Sequence, residues 1–137
     1  MSDYRKPLPR TTPDTQPFWD ALRRHQILLP CCRDCGEPHY PAGPVCPFCF
    51  SDSLEWRQAS GRGVVSSWVV VHQKWFPAFE EDTPYNVVQV ELEEGPRLTA
   101  NLVEASNERL EIGLPVEIVY DDVTPEVTLP RFRPRHT

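Results

Sequence analysis

The sequence predicts a mainly β protein with a short N-terminal helix, a metal-binding ribbon and a small five-stranded barrel. Three observations predict it: two Cys-x-x-Cys pairs, one amphipathic stretch ahead of them, and a series of alternating apolar and polar segments after Gly61. The 137 residues, 39% hydrophobic and 25% charged, suit one ordinary domain or two small ones. The expected division is an extended arm over 1–14, helix and ribbon over 15–60, barrel over 61–133, and a basic tail over 134–137.

The amphipathic stretch begins near Thr15, which we expect to act as the N-cap, with Pro17 in the first turn. Phe18, Trp19 and Leu22 would then share one face of the helix. A helix of roughly ten residues is marginal alone in water, so this face must pack against another surface. Packing on the chain's own domain and docking on a partner protein both remain open at this point.

The two Cys-x-x-Cys pairs are Cys32 with Cys35 and Cys46 with Cys49. Each pair presents two thiolates from positions i and i+3, so that both sulfurs reach one ion, and Gly36 permits the positive φ that turns nearby N–H groups toward the sulfurs. Four thiolates complete a tetrahedral shell and leave no position for substrate or water. The sequence therefore predicts a structural metal ion, with zinc expected.

The chain around these pairs fits a ribbon. The loop over 36–45 is rich in Pro and Gly, a short strand is expected over 26–31, and a returning strand over 54–56. The spacing of the cysteines also resembles the iron site of rubredoxins, and a tetrahedral sulfur shell suits either ion. Rubredoxin-like electron transfer is therefore an alternative function.

Two further residues near the pairs are candidate ligands. Cys31 precedes Cys32 directly, but a knuckle turn favours the two-residue spacing that starts at Cys32, so we expect Cys31 to face the other way along its strand. His39 lies close enough in sequence to suggest a Cys₃His site. Because four cysteines already fill the shell, we expect His39 to be a loop histidine.

The segment after Gly61 alternates with the period of two that is typical of half-buried strands. In the clearest case, Val88, Val90 and Leu92 fall on one face. Five strands in about seventy residues suit a closed or nearly closed barrel of the OB type. The expected strands are 64–72, 85–93, 98–102, 116–120 and 127–129.

The charge distribution weighs against nucleic-acid binding. The net charge is −6, but residues 61–130 hold four Lys or Arg against thirteen Asp or Glu, a net −9. Single-strand binders need a basic groove that follows the phosphates. Only Arg131, Arg133 and Arg135, which are expected to form a C-terminal tail, would support such binding. A zinc-ribbon/OB protein that binds single strands remains an alternative.

No nucleophile, base and orienting group occur together in a recognisable pattern, and we expect no catalytic residues in this chain. The carboxylates at 80–82 and 93–94 fall at predicted turns. One connection stands out, because Trp75, Phe76 and Phe79 surround a proline between the first two barrel strands. These aromatic residues either close one end of the barrel or contact a partner or elongated ligand.

We expect a cytoplasmic location. Four of the five cysteines lie in Cys-x-x-Cys pairs, which suits metal binding in a reducing compartment better than a disulfide framework. The first residues lack the apolar segment of a secretory signal. No apolar run approaches the roughly 20 residues that cross a bilayer, so no membrane contact is expected.

With these motifs described, the chain resembles the DUF35 family of zinc-ribbon/OB-fold proteins. The resemblance extends over roughly residues 15–133, and the extra Cys31 is a small departure from it. The segments that carry it are Cys32–Gly36, Cys46–Cys49, Gly61–Val64, Pro84–Val88, Val90–Gly95 and Ile112–Val116.

The resemblance implies a function that composition alone does not show. Such proteins are non-catalytic accessory subunits of thiolase-like condensing or thiolytic enzymes and aldolases that act on acyl-CoA, sometimes with MaoC-like hydratases. They order the partner and help to hold acyl-CoA. On this basis the expected contacts to partner or acyl-CoA are Phe18, Trp19, Leu22, Trp75, Phe76 and Phe79.

Overall fold

The computed structural model describes Tyr4, residues 6–73 and residues 77–135. One helix and seven strands form the framework of these residues, together with two short 3₁₀ segments, Pro77–Asp82 and Asn107–Arg109. Among the described residues, no helix is both long enough and apolar enough to cross a membrane. The elements are α1 (Gln16–Arg23), β1 (Leu28–Cys32), β2 (Leu54–Gln58), β3 (Arg62–Val71), β4 (Tyr85–Leu92), β5 (Arg97–Ala100), β6 (Pro115–Asp122) and β7 (Thr128–Pro134).

The ribbon is built on the antiparallel pair β1 and β2. Leu28 lies opposite Gln58 at one end, and Cys32 lies opposite Leu54 at the other, where the cysteine turns begin. The predicted strands on either side of the cysteine loop are therefore confirmed.

The barrel is a five-stranded antiparallel sheet in the order β5-β4-β3-β6-β7. The sheet curls until the segment after β5 meets β7, where the Phe132 N–H donates to the Asn101 carbonyl at 2.9 Å and the Val103 N–H to the Phe132 carbonyl at 2.7 Å. The predicted five-stranded barrel of the OB type is confirmed.

The alternation in β4 places its apolar side chains in the core. Val88, Val90 and Leu92 are buried, and Phe132 on β7 is fully buried within the same cluster. A buried polar residue, Asn86, fastens β4 to the following loop: its amide oxygen accepts from the Leu102 N–H at 2.6 Å, and its amide nitrogen donates to the Leu102 carbonyl at 3.0 Å.

The last strand is longer than the sequence suggested. The prediction ended the strand at Leu129, which is wrong, because β7 continues to Pro134 and includes Arg131 and Arg133. Ion pairs across the β6–β7 hairpin hold them there, with Arg131 Nε 2.6 Å from Asp121 Oδ2 and Arg133 Nε 3.3 Å from Glu117 Oε1.

The helix begins as expected but is capped differently. Thr15 occupies the N-cap position, yet its hydroxyl makes no cap hydrogen bond to the helix. Instead, the Thr12 N–H donates to the Thr15 hydroxyl at 2.9 Å, so the two threonines stabilise the turn that enters the helix. Thr15 is therefore the N-cap residue as predicted, although its hydroxyl accepts from Thr12 and not from the first turn of the helix.

The apolar face of the helix packs on the chain's own ribbon and barrel, which was one of the two arrangements that the sequence left open. Phe18, Ala21 and Leu22 are buried, and α1 contacts both β1 of the ribbon and β7 of the barrel. At its C-terminal end the His25 ring stacks on Tyr120 with centroids 5.0 Å apart. The helix thus joins the ribbon to the barrel.

Glycine is required where the barrel begins. A Cβ at Gly63 would overlap the carbonyl oxygen of Glu91 on the neighbouring strand β4. We predict that Gly63→Ala lowers the free energy of unfolding by about 1–3 kcal/mol, because the strands must separate to admit the methyl group. Urea denaturation followed by circular dichroism measures this change.

Gly43→Ala is the matched control for this substitution. A Cβ at Gly43 meets no atom within 4 Å, and its φ is not in the left-handed region. Its unfolding midpoint should stay close to that of the wild type. Equal midpoints for the two variants would contradict the close approach of β3 and β4.

Candidate metal centre

The structure brings the four sulfur atoms of Cys32, Cys35, Cys46 and Cys49 within 4.8 Å of one another. The Cys32 and Cys49 sulfurs lie 3.5 Å apart, and those of Cys35 and Cys46 lie 3.7 Å apart. Disulfide sulfurs are separated by about 2.05 Å, so these are free thiols. A tetrahedral ion with metal–sulfur bonds of about 2.3 Å requires sulfurs roughly 3.8 Å apart. The four cysteines are therefore arranged to bind a metal ion.

Two turns closed by equivalent backbone hydrogen bonds present these sulfurs. In the first, the Gly36 N–H donates to the Cys32 carbonyl at 2.9 Å; in the second, the Phe50 N–H donates to the Cys46 carbonyl at 2.9 Å. Backbone N–H groups also point at the sulfurs, from Cys35 to Cys32 at 3.4 Å and from Phe48 to Cys46 at 3.3 Å. Such N–H groups stabilise thiolates and orient them toward an ion.

The close spacing of the sulfurs affects the ionisation of the thiols. The N–H of Cys35 donates to the Cys32 sulfur and lowers the pKa of that thiol to about 7. At Cys35 the Glu37 N–H acts to lower the pKa, but desolvation and the neighbouring Cys46 and Cys32 sulfurs outweigh it and raise that pKa to about 12. Four thiolates this close repel one another, so the shell is stable in its ionised form only around a positive ion.

Cys31 and His39 lie apart from the four clustered sulfurs. The Cys31 thiol is buried and donates to the Gly36 carbonyl at 3.4 Å, so it faces away from the cluster as its strand position suggested. His39 lies in the loop but is 4% exposed, and neither ring nitrogen has a hydrogen-bond partner among the described residues. Burial lowers the pKa of His39, which keeps the ring neutral. Its burial was not foreseen.

The two cysteine turns differ at one equivalent position. Gly36 follows the first pair with φ of +79°, whereas Phe50 follows the second with φ of +63°. The left-handed conformation costs an L-residue about 1–2 kcal/mol, a cost that glycine avoids. The Phe50 side chain is nevertheless 77% exposed. Residue pattern alone did not single out this position.

The structure changes the set of expected partner contacts. Phe18 and Leu22 are 3% and 0% exposed within the chain's own core, so the prediction that they touch a partner or acyl-CoA is wrong. Their apolar spacing is explained by packing on the ribbon and barrel. Trp19 is half-buried and packs at its edge against Phe18, with centroids 5.3 Å apart. Trp75 and Phe76 lie outside the described residues.

Phe79, the remaining expected contact, lines a groove of about 540 Å³ at one end of the barrel. It is half-buried and lies against Tyr85 with centroids 5.6 Å apart. The groove wall also includes the amide of Asn101 and the guanidinium of Arg131, which places polar groups beside apolar ones. Lys6 of the N-terminal arm crosses here and pairs with Asp82.

Together, the four-sulfur ribbon and the attached barrel define a two-part protein in which a rubredoxin-like metal ribbon precedes an OB fold. Sequence comparison agrees with this class. The profile described as "ChsH2, rubredoxin-like zinc ribbon domain" matches residues 19–55, and that described as "ChsH2, C-terminal OB-fold domain" matches residues 56–121. The chain belongs to the DUF35 family, since it is 37% identical to a DUF35 domain-containing scaffold protein of Methanocaldococcus jannaschii over 74% of this chain and 73% of that one.

Two further relatives are informative. The chain is 39% identical over 94% of its length to a probable enoyl-CoA hydratase alpha subunit of Thermomonospora curvata, but it spans only 40% of that longer protein. A solved structure described as the Ltp2–ChsH2(DUF35) aldolase contains a chain that is 38% identical. That likeness covers 93% of this chain and 98% of the solved one, with a TM-score of 0.84.

The ligand assignment is tested by single substitutions. We predict that Cys32→Ser loses the bound metal and unfolds the ribbon, because metal binding contributes on the order of 10 kcal/mol to such small folds. Cys31→Ser should retain one ion per chain. Metal content of the purified proteins, measured by inductively coupled plasma mass spectrometry, separates the two variants. Metal loss from Cys31→Ser, with retention in Cys32→Ser, would show the assignment to be wrong.

Proposed function

We propose that this chain is a non-catalytic accessory subunit of a thiolase-like acyl-CoA enzyme, which it stabilises and orders. The observation that carries the proposal is the likeness to the ChsH2(DUF35) chain of an aldolase, which extends over nearly the whole of both chains. Catalysis would reside in the partner, of the condensing, thiolytic or aldolase type. The relative described as a probable enoyl-CoA hydratase alpha subunit favours a MaoC-like hydratase as a further component.

The metal centre supports a structural role. Its four protein ligands, Cys32, Cys35, Cys46 and Cys49, would complete the shell and leave no position at which a substrate could be polarised. We propose zinc as the ion, because it prefers a tetrahedral thiolate shell and has no redox chemistry. A site built of thiols also suits a reducing cytoplasm.

Iron in the same shell would favour electron transfer, the first alternative. A visible absorption spectrum of freshly purified protein distinguishes the two ions. A red protein would contain iron, and a colourless one zinc. The spacing of the cysteines is compatible with either.

Single-strand binding, the second alternative, is disfavoured by the charges of the barrel. Its residues 61–130 carry a net −9, which would repel phosphates. Arg131 and Arg133, the nearest basic residues after this segment, already pair with Asp121 and Glu117. A basic path along the barrel is therefore not formed by these side chains.

The groove beside Phe79 is the proposed contact with acyl-CoA. Its volume of about 540 Å³ and its mixed lining suit a chain that is part apolar and part amide, as the acyl and pantetheine portions of an acyl-CoA are. Trp75 and Phe76, which precede Phe79 in the same connection, remain proposed contacts on the grounds of sequence. Trp19, half-buried on the helix, remains a proposed partner contact.

Co-expression tests the proposed function. We predict that the chain copurifies with a larger acyl-CoA enzyme encoded nearby and elutes with it on size-exclusion chromatography. The complex should turn over its acyl-CoA substrate, whereas the isolated chain should not. Thioester turnover by the isolated chain would contradict a non-catalytic role. Elution of the chain alone, together with a shift of a single-stranded oligonucleotide at ~150 mM salt, would favour the nucleic-acid alternative.

A further inference from the structure

The two cysteine turns have equivalent backbone hydrogen bonds but differ in the residue that follows the second cysteine. Besides the hydrogen bonds already described, the Cys32 N–H donates to the Glu37 carbonyl at 3.1 Å and the Cys46 N–H to the Ser51 carbonyl at 2.8 Å. The two turns therefore have matching backbones, and Phe50 stands where Gly36 stands in the first. Nothing in the turn geometry calls for a large side chain at this position.

Phe50 is unfavourable in the isolated chain for two independent reasons. Its φ of +63° lies in the left-handed region, which is a genuine outlier for a bulky residue. Its ring is 77% exposed to solvent, so burial within the chain does not compensate for the strained backbone. Strain of this kind at an exposed position indicates a function that the isolated chain does not display.

Phe50 belongs to an exposed apolar cluster on the same turn. Phe48, two residues earlier, is 63% exposed, and Val45, just before Cys46, is 41% exposed. We call these three residues the aromatic knuckle. Phe48 also borders a cavity of about 340 Å³ whose lining includes the carboxylates of Glu37 and Glu94. The knuckle is thus an apolar projection with acidic groups beside it.

The size and charge of this surface indicate what covers it. A stable interface buries about 800 Å² on each partner, far more than three side chains provide, so the knuckle is an anchor within a larger contact. A second copy of the chain would bring two acidic surfaces together, since the chain carries a net charge of −6. A different subunit, with basic side chains facing Glu37 and Glu94, meets no such repulsion.

We propose that the aromatic knuckle is the anchor by which this chain docks into an apolar, basic-rimmed pocket on its acyl-CoA enzyme subunit. The proposal rests on the proposed function, because that function supplies the partner. Cys46 and Cys49 at the two ends of the turn would both bind the ion, so the turn would be fixed before docking and the rings would lose little conformational freedom on binding. Phe50 and Phe48 would enter the pocket, and Val45 would pack at its edge.

The experiment uses the full chain, metal-loaded, and the acyl-CoA enzyme that copurifies with it, separated and titrated by calorimetry. Phe50→Gly removes the ring and leaves the residue that the first turn uses, so the free variant should keep its metal and melt at the same or a higher temperature. Its Kd for the enzyme should rise at least tenfold, and Phe48→Ala should act in the same direction. Ile112→Ala, at a side chain 68% exposed elsewhere on the barrel, is the matched control and should bind within twofold of wild type.

The outcomes separate this proposal from the proposed function. If the wild-type chain binds the enzyme and Phe50→Gly binds within twofold of it, the knuckle is not the anchor, although the accessory function stands. A lower melting temperature for free Phe50→Gly would show that the ring stabilises the ribbon itself, which also overturns the proposal. A concentration-dependent homodimer that Phe50→Gly abolishes would assign the knuckle to a second copy. Failure of the wild-type chain to bind any acyl-CoA enzyme would remove both the proposed function and the docking that rests on it.

Discussion

The clustering of four thiols at the end of a two-stranded sheet is the constraint on which the ribbon depends. Cys32 and Cys46 are fully buried, while Cys35 and Cys49 are exposed, so the cluster lies at the surface of the ribbon. A segment this short buries too little apolar surface to fold on its own. The attraction of four thiolates for a cation would supply the missing free energy of folding.

The metal ribbon affects the rest of the molecule through a rigid junction. The Ala59 N–H donates to the Ile27 carbonyl at 2.8 Å, and the Ile118 N–H donates to the Gly61 carbonyl at 2.7 Å, so the chain is fixed on both sides of the ribbon–barrel boundary. Nearby, the His25 imidazole lies 2.9 Å from the Asp122 carboxylate. Thr128 and His25 together lower the pKa of Asp122, because both form hydrogen bonds that favour its ionised form. The ribbon and barrel are therefore held in a defined relative position.

Much of the fold was predictable because period and spacing are local properties. The alternation of Val88, Val90 and Leu92 predicted which face of β4 is buried, and the two Cys-x-x-Cys pairs predicted the sulfur cluster. The errors arose where distant partners decide the outcome. Arg131 and Arg133 resemble a basic tail in the sequence, but across the hairpin Glu117 lies opposite Arg133, and Asp121 forms an ion pair with Arg131.

The same distinction applies to the candidate site. The apolar face of α1 was identified correctly, but pattern alone does not say whether such a face packs inward or outward, and Phe18 and Leu22 pack inward. The burial of His39 and the hydrogen bonds between Asn86 and Leu102 depend on segments that are distant in the sequence. Phe50 is a different case. The sequence shows that a phenylalanine follows Cys49, but it shows neither the positive φ of that residue nor the exposure of its ring. Both observations are needed to identify Phe50 as a candidate contact.

A closed metal shell would stabilise the strained backbone that presents the exposed aromatic knuckle. A site with four protein ligands has no open position for chemistry, so its free energy of binding is available only to hold the backbone in place. A backbone held in this way can keep Phe50 in a conformation that a flexible loop would leave. Docking then requires little further ordering of the turn, which favours affinity for a given buried area. A structural ion would therefore support a strained, exposed aromatic residue, as the proposed docking on a larger subunit requires.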